Sequence, residues 1–324
     1  MHILCYTHIF PNSQELVRGP FILLRNKYLA KLVDITVVAP LPLAPPIPWL
    51  EKWWKLFKVP AQEQIADMQV YHPRYLKVPG SAFHKQHLAM LPSALKQIKA
   101  IHAQHPIDVI EAPWLFPDAW VAKEVGKQLG IPVVGTALGS DINEYREEPE
   151  LLEPVIEVLQ EVDAVACVSQ ALATAGHELG APASKFTVIY NGVDSTQFQP
   201  QNKQALRDTL GLPVDRQIIV FVGHHEFIKG MDTLLEAWPL VDEAVRPLLV
   251  MIGSGPMREM LIEKLEPQGV RFISEKPHKE IQQWIAQADA LLLPSYAEGV
   301  PNVPMEANAS GVPIICTDVG GVSE

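Results

Sequence analysis

The sequence predicts an α/β protein made of two doubly wound lobes, each with a parallel sheet covered by helices on both faces. The chain has 324 residues, which is more than one ordinary hydrophobic core accommodates. Short apolar runs alternate with helix-like stretches from end to end, the pattern of strands joined by crossover helices. A polar, turn-rich segment at 191–200 separates this alternation into two series, so two lobes are expected.

The first series predicts the N-terminal lobe, which we place at residues 1–195. Its predicted strands are 3–9, 34–39, 108–112, 132–137, 164–169 and 186–190. Its predicted helices include 21–32, 90–104 and 119–130. The last of these closes on Gly130, a residue type that suits the left-handed end of a helix.

The second series predicts the C-terminal lobe, which we place at residues 196–324. Its predicted strands are 218–223, 248–253, 270–274, 290–295 and 313–318. Helices are expected around 231–238, 256–266, 278–288 and 304–310. The sequence stops just after a strand and a glycine turn, so we expect this lobe to be truncated. Ligands of such sheets bind beyond the carboxyl ends of the strands, where candidate residues should therefore be sought.

The composition of the chain narrows the range of functions that are expected. The net charge is −11 with acidic and basic residues interleaved, which disfavours a nucleic-acid partner. No run approaches ~18 uninterrupted apolar residues, and the N-terminus lacks the basic start of a signal peptide, so we expect a cytoplasmic protein. Cys5, Cys167 and Cys316 each lie in an apolar, strand-like run and are expected to be buried in a reducing compartment. No metal-ligand spacing occurs, and neither a metal nor a cofactor is expected.

The strongest candidate site is the segment from Glu298 to Glu306, which follows a predicted strand and runs into a helix. The backbone amides between the two acids include those of Gly299, Val300 and Asn302. Amides and a helix start suit a phosphate or a sugar oxygen, while carboxylates accept hydrogen bonds from sugar hydroxyls. The alternative is a solvated loop followed by a glutamate that complements the helix dipole.

A second candidate is the segment 221–238, again a strand, a loop and a helix. Gly223 and Gly230 permit tight turns, and Lys229 lies just before the helix, where a cation can meet a diphosphate. His224 and His225 could also contact phosphate, although adjacent histidines are more often merely exposed. A Lys-Gly pair before a helix is by itself commonplace and usually structural.

Two weaker candidates follow other predicted strands. Gly253, in the turn 252–256, could bring the backbone close to a nucleotide, or the turn could simply precede a helix opened by Pro256. Asp141 could cap the helix that follows it or face a cleft between the lobes. The first strand is not followed by the glycine pattern of dinucleotide-binding enzymes, and neither a P-loop nor a nucleophile elbow occurs.

An aromatic and basic stretch at 40–60 is compositionally unusual. Trp49, Trp53 and Trp54 stand among lysines there, a combination that suits the headgroup zone of a lipid bilayer. Peripheral membrane contact is one hypothesis for this segment. Packing against the lobe, or lining an acceptor groove, is the other.

Several motifs in order resemble the retaining glycosyltransferases of family 4, which have the two-lobed GT-B fold with Rossmann-like lobes facing across a cleft. The resemblance extends through 10–22, 72–80, 108–143, 168–172, 191–194, 222–230 and 298–321. It implies transfer of a hexosyl group, with retention, from a UDP- or GDP-type sugar to a saccharide or lipid-linked acceptor, without a metal. The same resemblance implies that the enzyme takes part in the biosynthesis of a polysaccharide or glycoconjugate.

The resemblance also implies roles for individual residues. Glu298 would contact the donor sugar, Glu306 the ribose, and Lys229 the diphosphate. The other implied donor-binding positions are Gly19, Gly223, Gly253, Gly299, Val300, Pro301 and Asn302, with 274–277 bordering the base. Lys229, Glu298 and His224 are the catalytic candidates, and Asp141 and Glu111 are the acceptor-side candidates.

The sequence departs from the family pattern at three places. His224 stands where members usually carry arginine, Leu138 precedes Gly139 where histidine or arginine is common, and Glu111 lies in a stretch that lacks the usual histidines. A shorter, partly charged histidine would stabilise a diphosphate less strongly. The alternatives are therefore a relative that binds nucleotide-sugar without transferring it, and a sugar-nucleotide epimerase.

Overall fold

The computed structural model describes residues 1–16, 18–47, 49–77 and 83–324, without the side chains of Lys52 and Glu147. The end of the family-like stretch 72–80 and part of the aromatic segment 40–60 lie outside the described residues. The chain forms two compact units, Met1–Ile189 and Tyr190–Glu324. The sequence had placed the boundary a few residues later, between 195 and 196.

The first unit is built around an eight-stranded sheet. In chain order the strands of this unit are β1 His2–Tyr6, β2 Asp34–Val38, β3 Leu41–Pro42, β4 Gln62–Ile65, β5 Met68–Tyr71, β6 Arg74–Tyr75, β7 Val109–Pro113, β8 Val133–Ala137, β9 Ala164–Cys167 and β10 Phe186–Val188. The sheet has the order β10-β9-β8-β7-β1-β2-β5-β4, while β3 and β6 pair separately. All its strand pairs are parallel except β4 with β5.

Helices connect these strands, as the alternating pattern predicts. They are α1 Pro20–Leu29, α2 Glu51–Lys58, α3 Gln86–Gln104, α4 Trp120–Leu129, α5 Ser140–Asn143, α6 Pro149–Glu161 and α7 Gln170–Glu178. Helix α4 buries Val121 and Val125 and ends at Gly130, whose φ of 70° is the left-handed conformation expected of a C-terminal glycine. The short helical turns of this unit are Phe83–Lys85, Leu115–Ala119, Tyr145–Glu147 and Ala183–Lys185.

The antiparallel hairpin of β4 and β5 was not predicted. Its two-residue turn consists of Ala66 and Asp67, with φ of 48° and 65°. Two-residue hairpin turns are usually recognised in a sequence by an Asn-Gly or Asp-Gly pair, and this turn has neither. Strand β4 is also polar (QEQI) and lies at the edge of the sheet, so it gives no apolar run to recognise.

The second unit has a five-stranded parallel sheet. Its strands are β11 Ile218–Val222, β12 Leu248–Ile252, β13 Arg271–Ile273, β14 Ala290–Leu293 and β15 Ile314–Cys316, in the order β13-β12-β11-β14-β15. Its helices are α8 Lys203–Leu210, α9 Met231–Ala237, α10 Arg258–Leu265, α11 His278–Ala286 and α12 Asn302–Ala309. Short turns cover Phe227–Lys229, Trp238–Leu240 and Glu266–Gln268.

Both faces of this sheet are covered. Val220 and Val250 belong to one apolar cluster, together with Trp284 of α11. The next residues along the two strands, Phe221 and Met251, belong to a second cluster on the other face. Every residue of β12 is buried, which explains why the strand reads as an uninterrupted apolar run.

Two of the three cysteines are buried as expected, and the third is not. Cys5 and Cys167 are buried, whereas Cys316 is exposed, so the prediction for Cys316 was wrong. Cys316 ends β15, which is an edge strand of its sheet and is therefore covered less completely than the central strands. Among the described residues, no helix is both long and apolar enough to cross a lipid bilayer.

Candidate active site

The two strongest sequence motifs meet at one point of the second unit. The strand order reverses between β11 and β14, which are paired neighbours. The connections that follow these two strands run to opposite faces of the sheet, which opens a crevice beyond the carboxyl ends of the strands. This crevice is the usual ligand position in doubly wound sheets. The loop with Lys229 follows β11, and the loop with Glu298 follows β14.

Lys229 and Glu298 form an ion pair in this crevice. The Lys229 Nζ lies 2.8 Å from Glu298 Oε1, and the Ser295 hydroxyl donates to the same oxygen at 2.6 Å. The Glu298 side chain is 7% exposed and that of Lys229 is 25% exposed. The arrangement offers a carboxylate acceptor beside a cation, which suits a sugar hydroxyl next to a diphosphate.

A glycine lets the two loops approach each other. Gly230 has φ of 69°, and a Cβ there would lie 1.9 Å from the carbonyl oxygen of Pro294. The Tyr296 amide also donates to the Ile228 carbonyl at 2.9 Å. The turn before α9 is therefore closed tightly against the start of the β14 loop, which brings Lys229 to Glu298.

The segment after β15 fixes the β14 loop from the other side. Gly320 has φ of 58°, and a Cβ there would lie 1.9 Å from the Glu298 carbonyl oxygen. The Gly321 amide donates to the Gly299 carbonyl at 2.8 Å, and the Thr317 hydroxyl bonds the Ser295 carbonyl. These contacts hold the backbone that carries Glu298. The family-like stretch 298–321 includes these residues, but no binding role was predicted for them from the sequence.

Glu306 lies one turn into α12 and is paired with His278, the first residue of α11. The His278 Nε2 lies 2.7 Å from Glu306 Oε1. The hydrogen bond to Glu306 raises the pKa of His278, against the opposing effect of burial. This histidine was not predicted as a site residue, although it directly follows the segment 274–277 that the resemblance placed beside the base.

The loops after β11 and β12 approach each other through glycine. Gly253 has φ of 144°, and a Cβ there would lie 2.0 Å from the carbonyl oxygen of Gly223. The His225 amide donates to the Ser254 carbonyl at 2.8 Å, and the Met257 amide donates to the His225 carbonyl at 2.9 Å. Gly253 is thus needed for this close backbone approach, whereas a Cβ at Gly223 would meet only the Phe221 ring, at 3.4 Å.

The two adjacent histidines of the β11 loop differ sharply. His224 is exposed, as adjacent histidines usually are. His225 is 0% exposed, so for this residue that expectation was wrong. Its ring packs near Phe221 and Phe272, and burial lowers the pKa of His225 to about 4. It is therefore a neutral packing residue, and only His224 presents its ring to solvent.

The backbone segment expected to hold sugar and phosphate is linked to Asn191. The Asn191 side-chain amide donates to Asn302 Oδ1 at 3.2 Å and contacts the Val300 carbonyl at 3.5 Å. Pro301 is the N-terminal cap residue of α12, which begins at Asn302, two residues earlier than predicted. The Asn302 amide therefore belongs to the first helical turn, and the amides of Gly299 and Val300 lie just before it. Their donor-binding roles stay predictions.

The N-terminal unit carries the remaining candidates. Gly19 has φ of 57° at the start of α1, and a Cβ there would lie 2.6 Å from the Ile9 carbonyl oxygen, so the position requires glycine.

Asp141 is 0% exposed and accepts hydrogen bonds from the amides of Leu138, Gly139 and Leu115. Burial raises the pKa of Asp141 to about 6. Asp141 thus fastens the loop before α5, and its acceptor role stays a prediction.

Glu111 and a second carboxylate lie near the point where the first sheet reverses, between β1 and β7. Glu111 Oε1 lies 2.5 Å from Arg25 and accepts from the Thr136 hydroxyl at 2.8 Å. Asp118, which was not predicted from the sequence, is fully buried, and its Oδ1 lies 2.8 Å from His8 Nδ1. An aspartate inside the apolar run LFPDAW was the available signal.

The aromatic segment is partly packed and partly exposed. Trp49 is 82% exposed, while Trp53 and Trp54 in α2 are half-buried. Arg74 donates to backbone carbonyls at the end of α2, fastening the helix to strand β6. The structure therefore supports packing for part of this segment and leaves Trp49 open to a partner.

A cluster of acids elsewhere is occupied by a lysine. Within the described ranges, Glu124, Glu157 and Glu161 are the one set of side chains close enough to share a metal ion. The Lys123 ammonium lies among them, 3.0 Å from Glu124 and hydrogen-bonded to the other two. This is a structural ion-pair network between α4 and α6.

Comparison with known proteins agrees with this geometry. The family model described as glycosyl transferases group 1 matches residues 216–324, and that of glycosyltransferase family 4 matches residues 27–197. The Bacillus subtilis (strain 168) protein TuaC, named as a glycosyltransferase of teichuronic acid biosynthesis, is 33% identical over 333 residues, covering 100% of this chain and 82% of TuaC.

Solved structures show the same architecture. Sucrose-phosphate synthase from Thermosynechococcus elongatus has a TM-score of 0.76 at 20% identity, covering 99% of this chain and 82% of that one. Anabaena HepE, solved with UDP-glucose, has a TM-score of 0.72 at 19% identity, covering 100% and 82% respectively. The fold is thus that of the GT-B glycosyltransferases. From the family models and its identity to TuaC, the chain belongs to glycosyltransferase family 4.

Proposed function

We propose that this glycosyltransferase moves a hexosyl group from a UDP- or GDP-type sugar to a saccharide or lipid-linked acceptor, with retention of configuration. The observation that carries the proposal is the ion pair of Lys229 with Glu298 at the reversal point of the second sheet. A UDP donor is supported by HepE, which was solved with UDP-glucose, and polysaccharide synthesis by the name of TuaC.

The proposed chemistry is electrostatic. The bond from the sugar's anomeric carbon to the diphosphate oxygen breaks, and the acceptor oxygen takes its place on the same face of the ring. The proton of the acceptor hydroxyl passes to the leaving diphosphate. Lys229 and His224 offset the negative charge that develops on the leaving diphosphate. The amides of Gly299, Val300 and Asn302 add hydrogen bonds to it. Glu298 accepts from the sugar hydroxyls and Glu306 from the ribose. None of these roles requires a metal, and activity in excess EDTA tests that part of the proposal.

Nucleotide binding is the first test. Calorimetric titration with UDP, GDP, ADP and their sugars should identify the donor, and Lys229→Ala and Glu306→Ala should each abolish its binding. Lys264→Ala is a matched control, because Lys264 is an exposed lysine of the same unit with an acidic neighbour. Unchanged nucleotide affinity in both site variants would refute the assignment.

A relative that binds nucleotide-sugar without transferring it is the second candidate, favoured by His224 in the usual place of arginine. Transfer assays with the identified donor and a panel of acceptors distinguish the two. His224→Arg should raise the rate if the histidine limits catalysis, whereas an unchanged rate would make it an accepted variant. Product analysis without an acceptor tests epimerase activity.

We also propose peripheral contact with the cytoplasmic face of a membrane through Trp49, Trp53 and Trp54. The support is the exposure of Trp49 and the neighbouring lysines, which suit an anionic headgroup layer. Anionic liposomes should pellet the wild type and less of the Trp49→Ser or Trp53→Ser/Trp54→Ser variants. Leu240→Ser removes an equally exposed apolar side chain from the other unit and serves as the control. Equal pelleting of all variants would exclude this contact.

A further inference from the structure

The carboxylate of Glu306 is held on one side by a partner from another helix. Glu306 lies on α12 with its side chain 8% exposed, and His278 opens α11 with its side chain 45% exposed. Their 2.7 Å contact uses Glu306 Oε1 alone. A carboxylate only accepts hydrogen bonds, so the His278 Nε2 must be the donor.

His278 is itself fixed in place. Helix α11 is anchored in the core by Ile281, Trp284 and Ile285. The His278 ring lies 5.3 Å from the ring of Phe198, and its backbone carbonyl accepts from the Gln197 side chain at 3.3 Å. Both neighbours come from the segment that precedes α8. The donor to Glu306 is therefore a preorganised group.

A held carboxylate binds a diol better than a freely rotating one, because its orientation is settled before the ligand arrives. We propose that His278 is a positioning residue for the nucleotide: by occupying one oxygen of Glu306, it orients the carboxylate toward the ribose hydroxyls. This inference rests on the proposed function, in which Glu306 contacts the ribose. It adds His278 to the residues that determine selection of a ribonucleotide.

The test compares UDP with 2′-deoxy-UDP by calorimetry, with GDP and 2′-deoxy-GDP run in parallel. Loss of one well-placed hydrogen bond to a charged group weakens binding about tenfold or more, so the wild type should prefer the ribonucleotide by about that factor. Glu306→Gln and His278→Ala should bring the preference close to one. His278→Gln, whose amide can still donate, should retain part of it.

His84→Gln is the matched control. His84 forms a histidine–glutamate contact of the same 2.7 Å length with Glu150, but in the N-terminal unit. This variant should bind both nucleotides as the wild type does. Circular dichroism and melting temperature confirm that each variant is folded.

The outcomes separate the two proposals. If His278→Ala weakens the ribo- and deoxyribonucleotide equally, its role is structural and the inference is wrong. The same conclusion follows if His278→Ala keeps the wild-type preference while Glu306→Gln loses it. If the wild type binds neither UDP nor GDP, the proposed function fails, and this inference fails with it.

Discussion

Acid should destabilise the second unit through His225. The ring is 0% exposed, and the described residues give its two nitrogens no hydrogen-bond partner. Burial holds its pKa at about 4, below the ordinary histidine value of about 6.5. Because the folded-state pKa is lowered, the unfolded chain takes up the proton first as the pH falls. The contribution of the neutral His225 ring to the free energy of unfolding is therefore present in full above pH ~6.5 and is lost progressively toward pH ~4.

The magnitude follows from the two pKa values. Each pKa unit corresponds to about 1.4 kcal/mol, so the full loss below both values is about 3 kcal/mol. Between pH ~7.5 and ~5 the loss from this one group is about 2 kcal/mol. That is a large share of the stability of an ordinary domain, which is about 5 to 15 kcal/mol.

Hydrogen exchange at the two pH values, corrected for the intrinsic exchange rate, measures this loss locally. Peptides covering β11 and β12 should lose about 2 kcal/mol of protection in the wild type. His225→Leu, which fills the site with an apolar side chain, should remove that dependence, whereas His224→Gln, at the exposed neighbour, should keep it. An equal loss of protection in wild type and His225→Leu would refute the reasoning.

Three further predictions concern the site itself. Lys229→Met and Glu298→Gln should each lower the free energy of unfolding by about 1 to 3 kcal/mol. The double variant should lose less than the sum, because the second change removes a charge whose ion-pair partner is already gone; additive losses in urea unfolding would contradict the ion pair. Gly320→Ala should lower the free energy of unfolding by about 1 to 3 kcal/mol and weaken nucleotide binding, because its positive φ and the Glu298 carbonyl leave no room for a Cβ. Gly192→Ala, where a Cβ meets open space, should have little effect in the same unfolding measurement. The wild type should be more stable than His278→Gln, and this difference in the free energy of unfolding should be greatest near pH 6. It should decline as the pH rises through the raised pKa of His278, because that pKa lies above the value in the unfolded chain. A constant difference up to pH 9 would show that the charge on His278 adds nothing.

Much of this protein follows from local patterns. All five strands of the second sheet were predicted to within two residues of their observed ends. The three inner strands gave continuous apolar runs because a strand covered on both faces is apolar throughout. Lys229 and Glu298 could be named because they lie in loops directly after such strands, and Glu306 because it lies in the helix that follows the second of these loops. The family followed from the order of its motifs. The hairpin of β4 and β5 was missed because a polar edge strand and a turn without glycine leave no such pattern.

The partners of these residues were decided only by the tertiary structure. Nothing in the spacing of Lys229 and Glu298 shows that they touch, and His278 is 28 residues from the glutamate it holds. His225 and His224 are neighbours in sequence, yet one is buried and the other exposed. Sequence periodicity reports which face of an element is apolar. Contacts between loops depend on strand order and on close backbone approaches, such as that of Gly320 to Glu298, which exist only once the sheet has formed.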